Sequence, residues 1–182
     1  MDDFDDFDDF MDCDIKMPLI GDTAPAFHAS STNGPIDFPA DCAGQWVILF
    51  SHPSDFTPVC TSEFIAFQRD LTEFEKLNTR LIGLSVGGLA SHLAWFDAIA
   101  NMPGGINITF ALIDDLNMSV AKKYGMMHPG VSDTHAVRAV FIIDPDAVVR
   151  AILYYPAVLG RNMSEIWRML VGLQTVGQAG NL

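Results

Sequence analysis

The sequence predicts an α/β domain built on a mixed β-sheet with helices covering both faces. Short apolar runs rich in β-formers alternate with stretches whose apolar residues recur every three or four positions. Two runs near the end follow each other across a turn of hairpin length, and a last amphipathic stretch closes the pattern. At 182 residues the chain fits a single domain with a proper apolar core, since domains typically run ~100 to 200 residues.

Taken in order, residues 1–16 form an Asp-Phe repeat with no helical or strand period, and its neighbouring charges repel in any compact form. They read as a disordered acidic arm; the alternative is that Phe4, Phe7 and Phe10 dock on a partner. The globular pattern starts at Met17, so the domain is assigned to 17–182. After a polar, turn-rich stretch over 21–44, the run Trp46-Val-Ile-Leu-Phe50 predicts a buried strand. A loop over 51–57 contains Pro53, and a helix starts at Pro58 with Thr57 as its N-cap. Phe64, Phe67, Leu71, Phe74 and Leu77 give that helix one apolar face. Strands then follow at 81–86 and 110–113, and helices at 91–100 and 119–124. The two successive strands, 137–143 and 148–154, flank Asp144-Pro145-Asp146, a turn signal. The last helix, 164–174, puts Ile166, Leu170 and Leu173 on one face, with Asn162 or Ser164 at its cap. A thioredoxin-like architecture fits this order.

Charge and cysteine usage exclude several classes. The net charge is −13, but eight acids lie in the first fourteen residues; without them fifteen acids face ten bases, an ordinary surface. Nothing resembles a basic stripe able to displace counterions from phosphates, so nucleic acid is excluded as a partner. Cys13, Cys42 and Cys60 are too few and too scattered for a disulfide framework or a C-x-x-C site. An acidic start and the lack of a long apolar run argue against a signal peptide and a membrane span, and a cytoplasmic location is expected.

Cys60 stands out before any likeness is considered. It falls in the first turn of the predicted helix, where unpaired N–H groups and the helix dipole favour an anion, and the thiolate is the reactive form of cysteine. Pro53 and Pro58 limit the freedom of the loop, and the Thr57 hydroxyl can donate and accept hydrogen bonds near the sulfur. An arbitrary cysteine is more often a small buried hydrophobe. Arg138 interrupts an otherwise apolar strand; either it is a solvated edge residue or, if buried, it needs an anionic partner, for which a Cys60 thiolate is the obvious choice.

The segment Ser51-His-Pro-Ser-Asp-Phe-Thr-Pro-Val-Cys-Thr-Ser-Glu-Phe64 resembles the active-site stretch of peroxiredoxins, whose signature is Pro, three residues, Thr or Ser, two residues, Cys. Pro53, Thr57 and Cys60 fall on those positions, and the surrounding words are most similar to the one-cysteine and archaeal subgroup. The likeness runs from Met17 to Gln174. It implies a thiol-dependent peroxidase acting on hydrogen peroxide and organic hydroperoxides through a Cys60 sulfenic acid. It further implies that Arg138 is the family's site arginine, that Arg161 is a second one, that Glu63 orients the arginine, and that His52 bonds in the peroxide pocket. On position alone Arg161 fits equally a surface role ahead of a helix, Glu63 a first-turn acid favoured by the dipole, and His52 a strand-end residue. His28, His92, His128 and His135 have no metal-ligand spacing and read as structural or exposed. The reaction implied requires no metal, haem or flavin.

No cysteine follows Cys60, and position 65 is Ile65, so a one-cysteine cycle reduced by an external thiol is expected. Cys13, on its arm, is the alternative resolving thiol, with Cys42 also upstream. Relatives with these active-site words usually continue several dozen residues past the last helix, as an arm that covers the site and builds the dimer. The ending Thr-Val-Gly-Gln-Ala-Gly-Asn-Leu182 is small and polar and cannot form such an arm; a homodimer or higher homo-oligomer is still expected, with pairing through an edge strand one open geometry. Gly44-Gln-Trp-Val47 stands where some relatives carry a lipase-like Gly-x-Ser-x-Gly, so phospholipase activity is not carried over. The non-enzymatic alternative is a thioredoxin-fold chaperone or redox-sensing interaction protein. A dithiol oxidoreductase lacks its second thiol.

Overall fold

The computed structural model describes residues 17–180. The acidic arm at 1–16, with Cys13, lies outside the described residues.

Five strands form the main sheet: β3 (Trp46–Ser51), β4 (Thr79–Ser85), β5 (Ala111–Asp114), β6 (Arg138–Ile143) and β7 (Val149–Tyr155). Their order is β5-β4-β3-β6-β7, with β3, β4 and β5 parallel and β6 and β7 antiparallel. The helices are α1 (Pro58–Lys76), α2 (Leu89–Asn101), α3 (Ser119–Lys123) and α4 (Met163–Gln178). The expected mixed sheet, the hairpin around Asp144-Pro145-Asp146 and all four helices are present, with boundaries displaced by a few residues as frayed ends commonly are. Asn162 rather than Ser164 caps α4, its side chain accepting from Ser164 N–H at 2.9 Å.

One expectation fails in the turn-rich stretch. It contains a small antiparallel hairpin, β1 (Phe27–Ala29) with β2 (Ile36–Phe38), followed by a single 3-10 turn at Ala40–Cys42. Strands of three residues are too short to show a period of two, so the surrounding turn residues dominate the pattern.

Side-chain alternation divides the core into two layers. Val47 and Leu49 of β3 and Phe141 of β6 point to the face covered by the hairpin and α3, together with Phe27, Phe38 and Tyr124. Ile48 and Phe50 point to the opposite face, against Phe64 and Phe67 of α1, Trp95 of α2 and Leu170 of α4. Phe50 stacks on Phe67 with centroids 4.1 Å apart and meets Phe64 edge-on at 5.6 Å. Gly83 makes this possible, because a Cβ there would lie 3.1 Å from Leu112 Cδ1 and 3.3 Å from Phe50 Cζ.

The sheet also prepares the place where polar groups enter. Backbone pairing of β3 with β6 runs to Phe50 opposite Val140. At the next step the Ser51 hydroxyl replaces the backbone, donating to Val137 O at 2.5 Å and accepting from Ala139 N–H at 3.0 Å.

Candidate active site

Cys60 lies at the N-terminal turn of α1, directly beyond the carboxyl end of β3. Its placement follows from the local sequence: Ser51 ends the strand, Pro53 sits in the connecting bend and Pro58 occupies the first helical position, where its missing N–H costs nothing. The first hydrogen bond of α1 runs from Thr61 N–H to Thr57 O at 2.9 Å, so the amides of Val59 and Cys60 are among the unpaired donors of the helix start. Thr57 takes the N-cap position but makes no capping bond; its hydroxyl instead donates to Ser54 O at 3.1 Å. The expected capping bond is thus replaced by a tie within the loop.

Arg138 is buried, not an edge residue. Its Nη1 stands 3.3 Å from Cys60 Sγ and also donates to Glu63 Oε2, while Nε donates to Ala157 O at 2.9 Å. Arg161 is buried as well, contrary to a surface role. Its Nε and Nη2 each bond a Glu63 carboxylate oxygen at 2.9 Å, and its Nη1 reaches Ser51 O and Ala139 O at 2.8 and 2.9 Å. The guanidinium lies 5.3 Å from the Phe50 ring centroid, a cation over an aromatic face.

Glu63 therefore binds both arginines. It lies beyond the first turn of α1, which removes the reading as a dipole-favoured terminal acid. Burial alone would raise its carboxyl, but the bonds from Arg161 and the charges of Arg161 and Arg138 outweigh burial and hold it below the ordinary carboxylate range. Two guanidiniums sharing one carboxylate leave a single positive charge in a buried cluster, and the sulfur of Cys60 is the group placed to receive it.

The ring of His52, expected to bond in the peroxide pocket, is tied to the active-site loop through one nitrogen and leaves Nδ1 without a partner among the described residues. Its Nε2 is committed to Asp55 Oδ1 at 2.9 Å, and its ring packs against Phe64 and Trp95. Burial pushes its pKa down to about 4, with Asp55 opposing and the charges of His92 and Arg161 assisting. A group of residues not selected from the sequence surrounds it. Asp55 also accepts from Ser91 Oγ and His92 Nδ1, and Trp95 Nε1 donates to Thr61 Oγ1. The available signal was the spacing of His92, Trp95 and Ile99, which puts a histidine on the buried face of α2. His28 and His135 are exposed, and His128 bonds Gly125 O at 3.1 Å. Among the described residues no cluster of His, Cys, Asp or Glu has the geometry of a metal site.

Cys42, the other described cysteine, is buried in the opposite layer, where burial pushes its thiol up against the opposing influence of Arg80.

A family model described as the AhpC/TSA family matches residues 20–152. A peroxiredoxin of Aquifex aeolicus is 52% identical over 166 residues, covering 91% of this chain and 74% of the relative. One of Methanosarcina mazei is 56% identical over 163 residues, covering 87% and 74%. Among solved structures, the yeast mitochondrial 1-Cys peroxiredoxin aligns with a TM-score of 0.81 at 39% identity, covering 90% of this chain and 80% of that one.

Proposed function

The chain belongs to the AhpC/TSA family of peroxiredoxins and is a thiol-dependent peroxidase with a thioredoxin-like fold; we propose that Cys60 is its peroxide-reducing sulfur. The observation that carries this is the approach of Arg138 Nη1 to Cys60 Sγ at 3.3 Å, within a buried cluster one negative charge short of balance.

The thiolate attacks the oxygen of the peroxide that bears hydrogen, in line with the O–O bond. A sulfur–oxygen bond forms as the O–O bond breaks. The electron pair departs on the second oxygen, which takes a proton and leaves as water from hydrogen peroxide or as an alcohol from an organic hydroperoxide. Sulfur is oxidised to sulfenic acid. Arg138, the Thr57 hydroxyl and the amide of Cys60 hold the two oxygens and stabilise charge as it moves from sulfur to the leaving oxygen. Pro53 stiffens the loop; Glu63 and Arg161 fix Arg138. Because sulfur takes the two-electron change itself, the reaction as written uses no metal or organic cofactor.

Recycling uses an external thiol. Its sulfur attacks Cys60, water leaves and a mixed disulfide forms; a second thiol then frees Cys60 and departs in a disulfide. Cys42, buried in the layer across the sheet from Cys60, is not placed to act as the resolving thiol. The reductant is a thioredoxin-like or glutaredoxin-like protein or a small thiol. β7 ends the main sheet, with residues 21–23 paired only at Val148 and Val149, and the rest of its outer edge is the surface for a homodimer or higher homo-oligomer. No helix among the described residues is long and apolar enough to cross a membrane, and the cytoplasm is the proposed location.

The test is to add one equivalent of hydrogen peroxide to the reduced protein and read the mass and redox state of every cysteine, with Cys60→Ser as control. Rapid oxidation confined to Cys60 is expected; slow, unselective oxidation would overturn the assignment.

A further inference from the structure

The reaction just described leaves residues 1–16 without a task, and the fold fixes where they start. Where β7 begins, Gly21 N–H donates to Val149 O at 2.8 Å and Val149 N–H donates to Asp22 O at 2.9 Å. Where β7 ends, Tyr154 Oη donates to Met17 Sδ at 3.0 Å. Read backwards from Asp22 to Met17, the chain thus climbs the length of β7, and what precedes Met17 departs from the end of the sheet that carries Cys60. Tyr155, the next residue of β7, pairs with Arg138, whose Nη1 stands 3.3 Å from Cys60 Sγ. Residues 1–16 hold Phe4, Phe7 and Phe10 among eight acids, with Lys16 as their one base.

Two loops at this end expose apolar side chains to water. Residues 156–160 follow β7, and there Val158 is 87% exposed and Leu159 54%. The same loop borders the sulfur: Ala157 O holds Arg138 Nε at 2.9 Å, and a Cβ on Gly160 would stand 3.4 Å from Cγ1 of Val59, the residue before Cys60. The second loop, from Gly125 to Val137, leads into Arg138 and exposes Val131 by 62%. It also touches the departing chain. The His128 ring lies 5.2 Å from that of Tyr154, and a Cβ on Gly125 would meet Met17 Sδ at 2.7 Å. Lys122 and Lys123, both exposed, end α3 just before this loop, whose one acid is Asp133. Exposed apolar residues gathered at the rim of a buried reactive group mark a contact surface, and here cations flank them. Phenylalanines set between aspartates are complementary to both features.

Reach is no obstacle. At about 3.3 Å per extended residue, residues 1–16 span up to about 50 Å, and the seven residues of β7 span only about 23 Å. A tether of this kind holds its far end at an effective concentration on the order of millimolar, so a contact too weak to form between molecules is occupied within one. We propose that residues 1–16 dock on their own chain across Val131, Val158 and Leu159, as a lid over the entrance to Cys60. Phe4, Phe7 and Phe10 anchor it, and its aspartates face Lys122 and Lys123. This rests on the assignment of Cys60 above and adds a substrate preference to it. The chemistry at sulfur is unchanged, but the covered entrance favours hydrogen peroxide over hydroperoxides that carry a bulky organic group.

Hydrogen exchange read by mass spectrometry on the reduced full chain detects the lid. In the triple variant Phe4→Ser, Phe7→Ser, Phe10→Ser, the amides of residues 126–136 and 156–160 are expected to exchange several-fold faster than in the parent, with the sheet unchanged. Rapid-quench mass spectrometry then follows sulfenic acid formation. Its rate in the triple variant should stay within about twofold for hydrogen peroxide and rise about fivefold for cumene hydroperoxide, as the fraction of open entrances sets the rate for the larger substrate. Val158→Asp, an exposed position, sets a charge against the acidic segment; it should reproduce both changes in the parent and add nothing to the triple variant. Equal exchange in parent and triple variant overturns the docking, as does an additive effect of Val158→Asp. Protection that is lost on dilution assigns the lid to a second copy and overturns docking within one chain. Unchanged discrimination between the two peroxides overturns the preference. Peroxide turnover that persists in Cys60→Ser overturns instead the assignment on which the preference rests, while the exchange pattern, which does not depend on the sulfur, still decides the docking.

Discussion

Cys42 and Cys60 are both buried, both free and both within reach of an arginine, yet they sit in different chemical settings. Arg80 Nη1 is 3.7 Å from Cys42 Sγ and gives its shorter bond, 2.8 Å, to Asp41 O. Cys42 ends a 3-10 turn, with Asp41 beside it adding negative charge, and burial pushes its thiol up. Cys60 opens an α-helix and faces an arginine that shares its carboxylate with another arginine, in a cluster one negative charge short of balance. The lesson is that a nearby guanidinium does not make a thiol a nucleophile. What matters is whether the surrounding charges and helix dipole are short of an anion.

The comparison is tested most sharply by removing each sulfur. Cys60→Ser should lower peroxide turnover by more than about a thousandfold, to background, while Cys42→Ser stays within about twofold of the parent, both read as initial rates of peroxide loss. A comparable loss in Cys42→Ser would end the distinction. Next in size is the anion that already serves the arginines. Glu63→Gln leaves two buried guanidiniums without their carboxylate and should cost about 3 to 5 kcal/mol of stability in denaturant unfolding, along with most of the activity. Thr57→Val should slow sulfenic acid formation by about ten- to a hundredfold with little change in thermal midpoint; turnover near that of the parent would remove the hydroxyl from the mechanism.

The effects of pH separate the two regions by sign. His52 has its folded pKa lowered to about 4 from 6.5, so the unfolded chain binds its proton first as the solution is acidified. Stability from this group is complete above pH 6.5 and declines as pH falls toward 4, by up to about 3 kcal/mol at 1.36 kcal/mol per unit. Glu63, held low, adds to the loss only at pH values under its ordinary 4.5. Cys42 acts at the other end: its folded thiol keeps a proton that the unfolded chain gives up near pH 9, so stability declines as pH rises past that point. Unfolding midpoints across pH 4 to 10 for the parent, His52→Asn and Cys42→Ser should show the acid slope reduced in the first variant and the alkaline slope in the second.

Much of this was legible in the residues themselves. Trp46 to Phe50 reads as a buried strand, and Thr57-Pro58 with the apolar spacing from Phe64 to Leu77 put Cys60 in the first turn of a helix; the likeness to the family signature singled out Pro53, Thr57 and Cys60. Arg138 announced itself as a charge in an apolar strand. Other parts were hidden for physical reasons. Asp55 is an acid in a polar loop, where sequence gives no hint of burial, and its partners arrive from α2 through the tertiary fold. His52 could be placed at the site but not oriented, because the nitrogen it commits depends on that same unseen carboxylate. The bonds of Arg161 to Ser51 O and Ala139 O required knowing where two strands part.

That parting has a consequence for engineering. The Ser51 hydroxyl stops the β3–β6 zipper one tooth short, and the guanidinium of Arg161 occupies the gap with bonds to both strand ends. The signature loop is therefore not a portable cassette. Grafted onto a host sheet whose strands stay paired to the end, it would carry its cysteine but find no socket for the cation that anchors the cluster, so a transplant has to bring the unzipped strand ends with it.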